Sequence, residues 1–195
     1  LLLGGAALRT TLQIERARQQ TVFDATLTLA DERVDRLDKL IIAQDNVVAA
    51  HVDLGSLESV AARWLPTAVR ETPTVRAILV LDMDHEDHDV LVFASRGPAL
   101  EDDAFRRLLL TRLFGQMNFA GQTEELRHLH YVIGRHPVIE SQSILISYWQ
   151  RSYLGRRFLV VAWHDVPRLV HEVLPRLYRD IDRGNSRMNV VDEEG

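Results

Sequence analysis

The densest group of possible metal ligands lies in residues 82–89, between two apolar runs of strand length. It contains four aspartates, one glutamate and two histidines. A calcium loop of the EF-hand type would need glycine at position 87 and a carboxylate at position 93, where the chain has Asp87 and Phe93. His85 and His88 are possible ligands of a transition metal, but the exposed tip of a hairpin has no second layer of groups to orient the imidazoles. We therefore predict a solvated turn and no metal site.

Two other sets of residues could do chemistry. His128 and His130 alternate onto one face of a strand, as two metal ligands would, but no third ligand follows at helical or strand spacing. His164 and Asp165 could form a hydrolytic triad with a serine of segment 141–147, but the chain has no G-x-S-x-G turn to expose that serine. The patterns favour structural roles for both sets.

The composition excludes further classes of function. The formal net charge of −5 provides no basic field for a nucleic acid, so we expect no nucleic-acid partner. The chain has no glycine-rich phosphate loop and no cysteine, and its only lysine, Lys39, lies in the long N-terminal helix. We therefore predict that this chain is not itself an enzyme and that it has no cofactor.

The elements that would position these residues begin with a long helix. Leu1 to Leu8 form an apolar run that we expect to be the end of a membrane helix. From Thr11 to about His51 there is no proline or glycine. Apolar residues recur there at one-heptad spacing, which predicts a stalk helix with a seam; they are Leu27, Val34, Ile41 and Val48, with Gln44 interrupting the pattern.

The periodicity changes further along the chain. A second helix is predicted over Leu57 to Arg70, with Ser56 as its cap and Pro66 as a kink or early end. An amphipathic helix is predicted over Asp102 to Phe114, and a last one begins at Asp165. The strands are predicted in five segments: Val75 to Leu81, Val90 to Ala94, Leu129 to Ile133, Ile144 to Gln150 and Phe158 to Trp163, the last two joined by a turn at Gly155.

This order, a long helix, two strands, a helical excursion and three antiparallel strands, resembles a family. It is similar to the PAS-like extracytoplasmic sensor modules called PDC or Cache domains, which occur in bacterial histidine kinases and chemoreceptors. The stretch that carries the resemblance best is Ile144 to Pro175, in which a strand, a glycine-containing turn and a second strand lead into an exit helix. The resemblance covers roughly residues 20–183.

The resemblance implies a ligand between the sheet and the excursion that joins strands two and three. The candidate ligand-binding residues that follow from it are His130, Arg135, Tyr148, Gln150 and His164. Amino-acid-binding members carry an arginine and an aromatic pair before the third strand, and no such spacing precedes Leu129, so an amino acid is not favoured. The identity of the small-molecule ligand stays open.

The seam of the long helix predicts a partner. A row of aliphatic side chains facing water would lose the benefit of burial, so we expect the half of the helix nearest the membrane to pair with a second copy. The predicted interface of this parallel homodimer is Phe23, Leu27 and Val34.

Together these patterns predict an α+β fold, with a long N-terminal helix followed by a PAS-like module whose central five-stranded antiparallel sheet is flanked by helices. Residues 1–53 are expected to be the membrane exit and stalk, 54–183 the sensor module, and 184–195 a linker and possible first strand of a following module. The function expected is periplasmic sensing for a membrane-bound two-component histidine kinase. The alternatives are the input domain of a chemoreceptor or other transducer, and a structural dimerisation domain without ligand.

Overall fold

The computed structural model describes residues 32, 34–85, 88–120, 124–133, 135–139 and 143–179. The chain divides into two units, Leu1–Leu40 and Ile41–Gly195, and the second contains the sheet. Phe23 and Leu27, two of the three predicted dimer residues, lie outside the described residues, whereas Val34 lies within them and is 65% exposed. The linker and second module predicted over 184–195 also lie outside them.

Helices begin and end the described chain. Helix α1 spans 34–51. A 3-10 turn, Leu57–Ser59, leads into α2, Val60–Trp64, and α3, Ala68–Glu71, follows. The excursion consists of α4, Ala99–Leu108, which continues through a π-helical turn, Leu109–Leu113, and a 3-10 turn, Phe114–Gln116. The last helical elements are α5, Val166–Arg168, a π-helical turn, Leu169–Val173, and α6, Leu174–Arg179.

The five strands form one antiparallel sheet in the order β2-β1-β5-β4-β3. Their bounds are β1 Val75–Asp82, β2 Val90–Ser95, β3 Arg127–Val132, β4 Ser143–Tyr153 and β5 Arg156–His164. This arrangement confirms the predicted fold class. Within the described residues, no helix is both long and apolar enough to cross a bilayer.

Alternation along the strands gives the sheet two apolar faces. The helix face packs against α1 and α2, and its core residues include Val48, Val52, Trp64, Ile78, Val80, Trp149, Val160 and Ala162. The excursion face packs against α4 and its continuation, and its core residues include Leu79, Phe105, Leu109, Leu113, Ile144, Ile146, Leu159 and Val161. Helices therefore cover the sheet on both sides.

Local sequence signals explain several element ends. Leu154 and Gly155 have φ of 49° and 77°, which suits the two-residue turn of the β4–β5 hairpin and confirms Gly155 as its turn residue. Asp165 accepts a 3.0 Å hydrogen bond from the backbone N–H of Arg168 and so caps α5, as its sequence position predicts. The predicted cap by Ser56 is wrong, because its hydroxyl donates to Glu58 instead.

Candidate functional site

A cavity with a volume of about 420 Å³ lies between the excursion and β3. Its residues come from α4, from the π-helical turn and from β3 with the segment after it. They are Ala104, Arg107, Leu108, Thr111, Arg112, Tyr131, Ile133, Arg135 and His136. The volume is within the range of pockets that hold small organic ligands.

The polar lining of this cavity is basic. Arg107, Arg112 and Arg135 contribute guanidinium groups, and no aspartate or glutamate is among the described lining residues. None of the three guanidinium groups has an ion-pair or hydrogen-bond partner among the described residues. All three side chains are exposed, whereas the half-buried Arg76 pairs with Glu101. Three arginines without a carboxylate partner around one cavity favour an anion over a cation.

His136 adds a neutral donor to the lining. Its Nδ1 accepts hydrogen bonds from the backbone N–H groups of Val138 at 3.2 Å and Ile139 at 3.0 Å. A nitrogen that accepts two hydrogen bonds carries no proton, so the ring proton lies on Nε2. The loop after β3 thus fixes the tautomer of a histidine that lines the cavity.

The excursion supplies Thr111 and Arg112 from its π-helical turn. A π-helical turn widens the backbone spiral and changes the direction of the side chains that follow, and such turns are frequent at functional sites. Leu109 and Leu113 in the same turn are fully buried against the sheet, which anchors it. Ala104, Leu108 and Ile133 complete an apolar wall, so the cavity suits an anion with an apolar part.

Of the residues predicted to bind a ligand, only Arg135 lines this cavity. Tyr148 is buried, and its hydroxyl accepts a 2.9 Å hydrogen bond from the backbone N–H of Asn118. Gln150 donates to the carbonyl of Phe119 at 3.2 Å, and with Tyr148 it lines a space of about 10 Å³, enough for one water. The structure therefore does not bring the five predicted residues together.

The other two predicted residues belong to the helix face. His130 is exposed on β3, on the opposite side of the strand from Tyr131. His164 is fully buried at the end of β5. Sequence reasoning missed Arg107, Arg112, Tyr131 and His136, because basic residues on an amphipathic helix and polar residues near an edge strand are typical of a solvated surface.

A second polar site, the buried cluster, lies under α1 on the helix face. We define it as the buried side chains of Gln44, Asp45, Thr74, Ser147 and His164, together with His128, which is 28% exposed at its edge. The side chain of Asp45 is 1% exposed, and its two oxygens face two histidines. Oδ2 lies 3.3 Å from Nε2 of His128 on β3, and Oδ1 lies 3.2 Å from Nε2 of His164 on β5.

The buried cluster keeps Asp45 ionised. Burial alone would raise the pKa of Asp45, but hydrogen bonds from His128 and His164, the charge of His164 and the nearby hydroxyl of Ser147 together hold that pKa below its ordinary value. Gln44, on the same turn of α1, accepts hydrogen bonds from the backbone N–H of Thr74 at 2.9 Å and from its hydroxyl at 2.8 Å. These contacts attach α1 to the sheet through polar groups.

Ser147 and His164 approach each other as a catalytic serine and histidine would, with Oγ 2.8 Å from Nε2. Their environment does not suit hydrolysis. Both side chains are fully buried, and Asp45 contacts the same ring nitrogen as the serine instead of the opposite one. Asp165, the acid in the arrangement considered from the sequence, caps α5.

The acidic segment connects β1 to β2, and the β4–β5 hairpin binds its carboxylates. Asp82 pairs with Arg156, and both oxygens of Asp84 accept 2.8 Å hydrogen bonds from Arg157. The backbone N–H of Asp84 is the main cause that lowers the pKa of Asp82, and Arg157 lowers that of Asp84. Among the described residues no group of three or more His, Asp or Glu side chains could hold a metal ion; Glu86 and Asp87 lie outside them.

Comparison with the models of known protein families, with curated proteins and with solved structures gave no match. Two features of the chain itself are therefore the candidate functional sites: the basic cavity on the excursion face and the buried cluster on the helix face.

Proposed function

We propose that this chain is a sensing domain that binds a small organic anion in the cavity between the excursion and β3. The observation that carries the proposal is the lining of that cavity, where three arginines without carboxylate partners surround about 420 Å³ next to an apolar wall. The three side chains are exposed, so water hydrates them when no ligand is present, and an anion that enters the cavity accepts charge-assisted hydrogen bonds from them.

The order of elements supports a sensory role. A helix precedes the sheet, and the excursion lies between β2 and β3, as in the PAS-like sensor modules that the sequence resembles. On this basis we propose that the chain is the extracytoplasmic, periplasmic input domain of a membrane-bound two-component histidine kinase. Catalysis would then belong to other domains, and the membrane would be reached through flanking helices.

Strand β3 gives a route from the cavity to α1. Tyr131 on this strand lines the cavity, and His128 on its other side lies 3.3 Å from Asp45 of the helix. β3 is an edge strand that pairs only with β4, so it can shift with less loss of hydrogen bonding than a central strand. A ligand that favours one position of β3 would bias the contact between His128 and Asp45.

The test is a thermal-shift screen of the 195-residue chain with small anions of different shape. The probes are succinate, citrate, benzoate, inorganic phosphate and sulfate, with putrescine as a cationic control. An anion at about one hundred times its Kd should raise Tm by about 5 °C, and putrescine should not. If no anion raises Tm, the sensing role fails and a structural dimerisation domain becomes the better account.

A pair of matched variants locates the binding. Thr111→Trp places a large ring in the cavity wall, whereas Leu110→Trp places the same ring at an exposed neighbour that does not line the cavity. The thermal shift should disappear in Thr111→Trp and persist in Leu110→Trp. Equal shifts in both variants would mean that the anion binds elsewhere. A kinase and a chemoreceptor make the same prediction here, and fusion of the domain to each type of output distinguishes them.

A further inference from the structure

The hydrogen atoms of the buried cluster can be assigned from its contacts. Gln44 accepts from the backbone N–H of Thr74, which can only donate, so the contacting atom of Gln44 is its amide oxygen. That oxygen has no hydrogen, and the hydroxyl of Thr74 lies 2.8 Å from it, so the hydroxyl hydrogen points to Gln44. The hydroxyl oxygen of Thr74 is then an acceptor towards His164.

This assignment places one proton on His164. Nδ1 lies 3.3 Å from the Thr74 hydroxyl oxygen, whose own hydrogen is already committed, so Nδ1 must be the donor. If the ring is neutral, its other nitrogen, Nε2, has only a lone pair. That lone pair would face the Asp45 carboxylate at 3.2 Å.

A neutral ring leaves the cluster one proton short. Ser147 has a single hydroxyl hydrogen, and both Nε2 of His164 and Oδ1 of Asp45 would require it. Oδ1 is buried and has no hydrogen-bond donor in good geometry, although Nε2 lies within ion-pair distance of it. A second ring proton, on Nε2, is donated to the hydroxyl oxygen of Ser147 at 2.8 Å, which leaves the hydroxyl hydrogen of Ser147 for Asp45 and removes the conflict.

We propose that His164 carries protons on both ring nitrogens and forms a buried ion pair with Asp45, and that this pair is a latch that holds α1 on the sheet. The helix contributes the anion and β5 the cation, so α1 cannot slide or tilt at this point without separating two buried charges. The latch has two arrangements: the pair is intact, or the helix is displaced and the ring is neutral. It holds whether or not the cavity binds a ligand.

The described groups around the pair come from α1, from β3 and β4, and from the segment before β1. Among the described residues, His128 on β3 is the only other titratable group that contacts Asp45, and it lies on the opposite carboxylate oxygen. The remaining contacts come from neutral groups: Gln44 on α1, Thr74 before β1 and Ser147 on β4. Within the described residues no second carboxylate contacts His164, so Asp45 is the counter-charge for its extra proton.

The test is a ¹⁵N NMR spectrum of the histidine rings at pH 7 in the 195-residue chain, with His164 assigned through its ring carbons. The wild-type ring should show an attached proton on both nitrogens. In Asp45→Asn the ring should keep only the Nδ1 proton, because Thr74 still accepts it. His128→Gln is the matched control, since it changes the partner of the other oxygen, and His164 should stay doubly protonated there.

Amide hydrogen exchange on the same proteins tests the latch. In Asp45→Asn the amides of 41–51 should exchange about 100-fold faster while those of β4 and β5 remain protected. If that variant does not fold, Thr74→Val, which removes one ring contact and keeps the shape, should give an acceleration of about tenfold. A neutral His164 in the wild type, or unchanged exchange of 41–51 in the folded variant, would overturn the proposal.

Discussion

Charged side chains occur on both faces of the sheet, but Asp45 on the helix face is buried whereas Arg107 and Arg112 on the excursion face are exposed. On the helix face, Asp45 lies between His128 and His164 and is closed off from solvent. On the excursion face, Arg107 and Arg112 line an open cavity without a carboxylate partner among the described residues. The carboxylate on the helix face has partners within the chain. The arginines of the cavity have none among the described residues and are available to an anionic ligand.

This difference separates two roles within one domain. A buried cluster of hydrogen bonds and ion pairs fixes the position of the elements that contribute to it. The unpaired arginines of a cavity form charge-assisted hydrogen bonds when an anion binds there. We therefore expect changes on the helix face to affect stability strongly and changes in the cavity to affect binding.

The largest effect is expected for Asp45→Asn. The substitution removes the charge but keeps the shape, which leaves His164 without its counter-charge in a fully buried position. Breaking one partner of a buried pair typically lowers the free energy of unfolding by about 3–5 kcal/mol. Urea unfolding measures the loss. Asp38→Asn, an exposed change on the same helix, is the control and should stay within about 0.5 kcal/mol. A loss below that level for Asp45 would remove the contrast between the faces.

The next effect is expected in the cavity. Arg135→Gln should reduce the affinity for an anion that raises Tm by about 10- to 100-fold, because a charge-assisted hydrogen bond contributes about 1.5–3 kcal/mol. Its effect on unfolding should be within about 0.5 kcal/mol, since the side chain has no partner among the described residues. Calorimetry and urea unfolding measure the two quantities. Arg36→Gln, far from the cavity in sequence and paired with Glu32 on an exposed helix surface, should leave affinity unchanged.

A smaller effect concerns acid stability. Hydrogen bonds from His128 and His164 outweigh burial and depress the pKa of Asp45 in the folded state. A depressed folded pKa contributes stability that is present above the unfolded value of about 3.9 and is lost as pH falls through the folded value. Between pH 5 and pH 2, wild type should therefore lose more stability than Asp45→Asn. Unfolding curves at a series of pH values test this, and parallel losses would show that Asp45 does not titrate in this way.

The smallest effect on the folded monomer is expected on the long helix. Val34 is 65% exposed, so its change to Glu should alter monomer stability by only about 0.5 kcal/mol. The double change of Leu27 and Val34 to Glu should abolish the homodimer that we propose for this helix. Sedimentation at hundreds of micromolar decides the matter: a wild-type chain that is already monomeric there, with no change in the double variant, would mean that the seam does not pair two copies.

Local signals in the sequence were enough to predict most of the fold. Gly155 marked the β4–β5 turn because only a glycine-like conformation fits there, and Asp165 marked the start of α5 because its side chain satisfies a free backbone N–H. Pro66 correctly indicated the break between α2 and α3. These features depend on a few neighbouring residues, so the sequence contains the information directly.

The two sites depend on contacts between distant parts of the chain. Asp45, Thr74, Ser147 and His164 meet only because α1 crosses the helix face, and no local pattern joins them. Gln44 was visible as an interruption of the heptad seam, and that was the one signal that α1 contacts something polar. The cavity was even less evident from the sequence. Its arginines on the excursion are indistinguishable from a solvated helix surface until β3 lies opposite them.

The most direct test of the contrast between the faces is an NMR titration of the isotope-labelled chain with the anion that gives the largest thermal shift among succinate, citrate, benzoate, phosphate and sulfate. The account predicts that the largest shift changes occur at the side chains of Arg107, Arg112 and Arg135 and at Tyr131. Weaker changes should follow at His128 through β3. Changes centred on Asp45 and His164, or scattered over the surface with no cluster at the cavity, would contradict the assignment of binding to the excursion face.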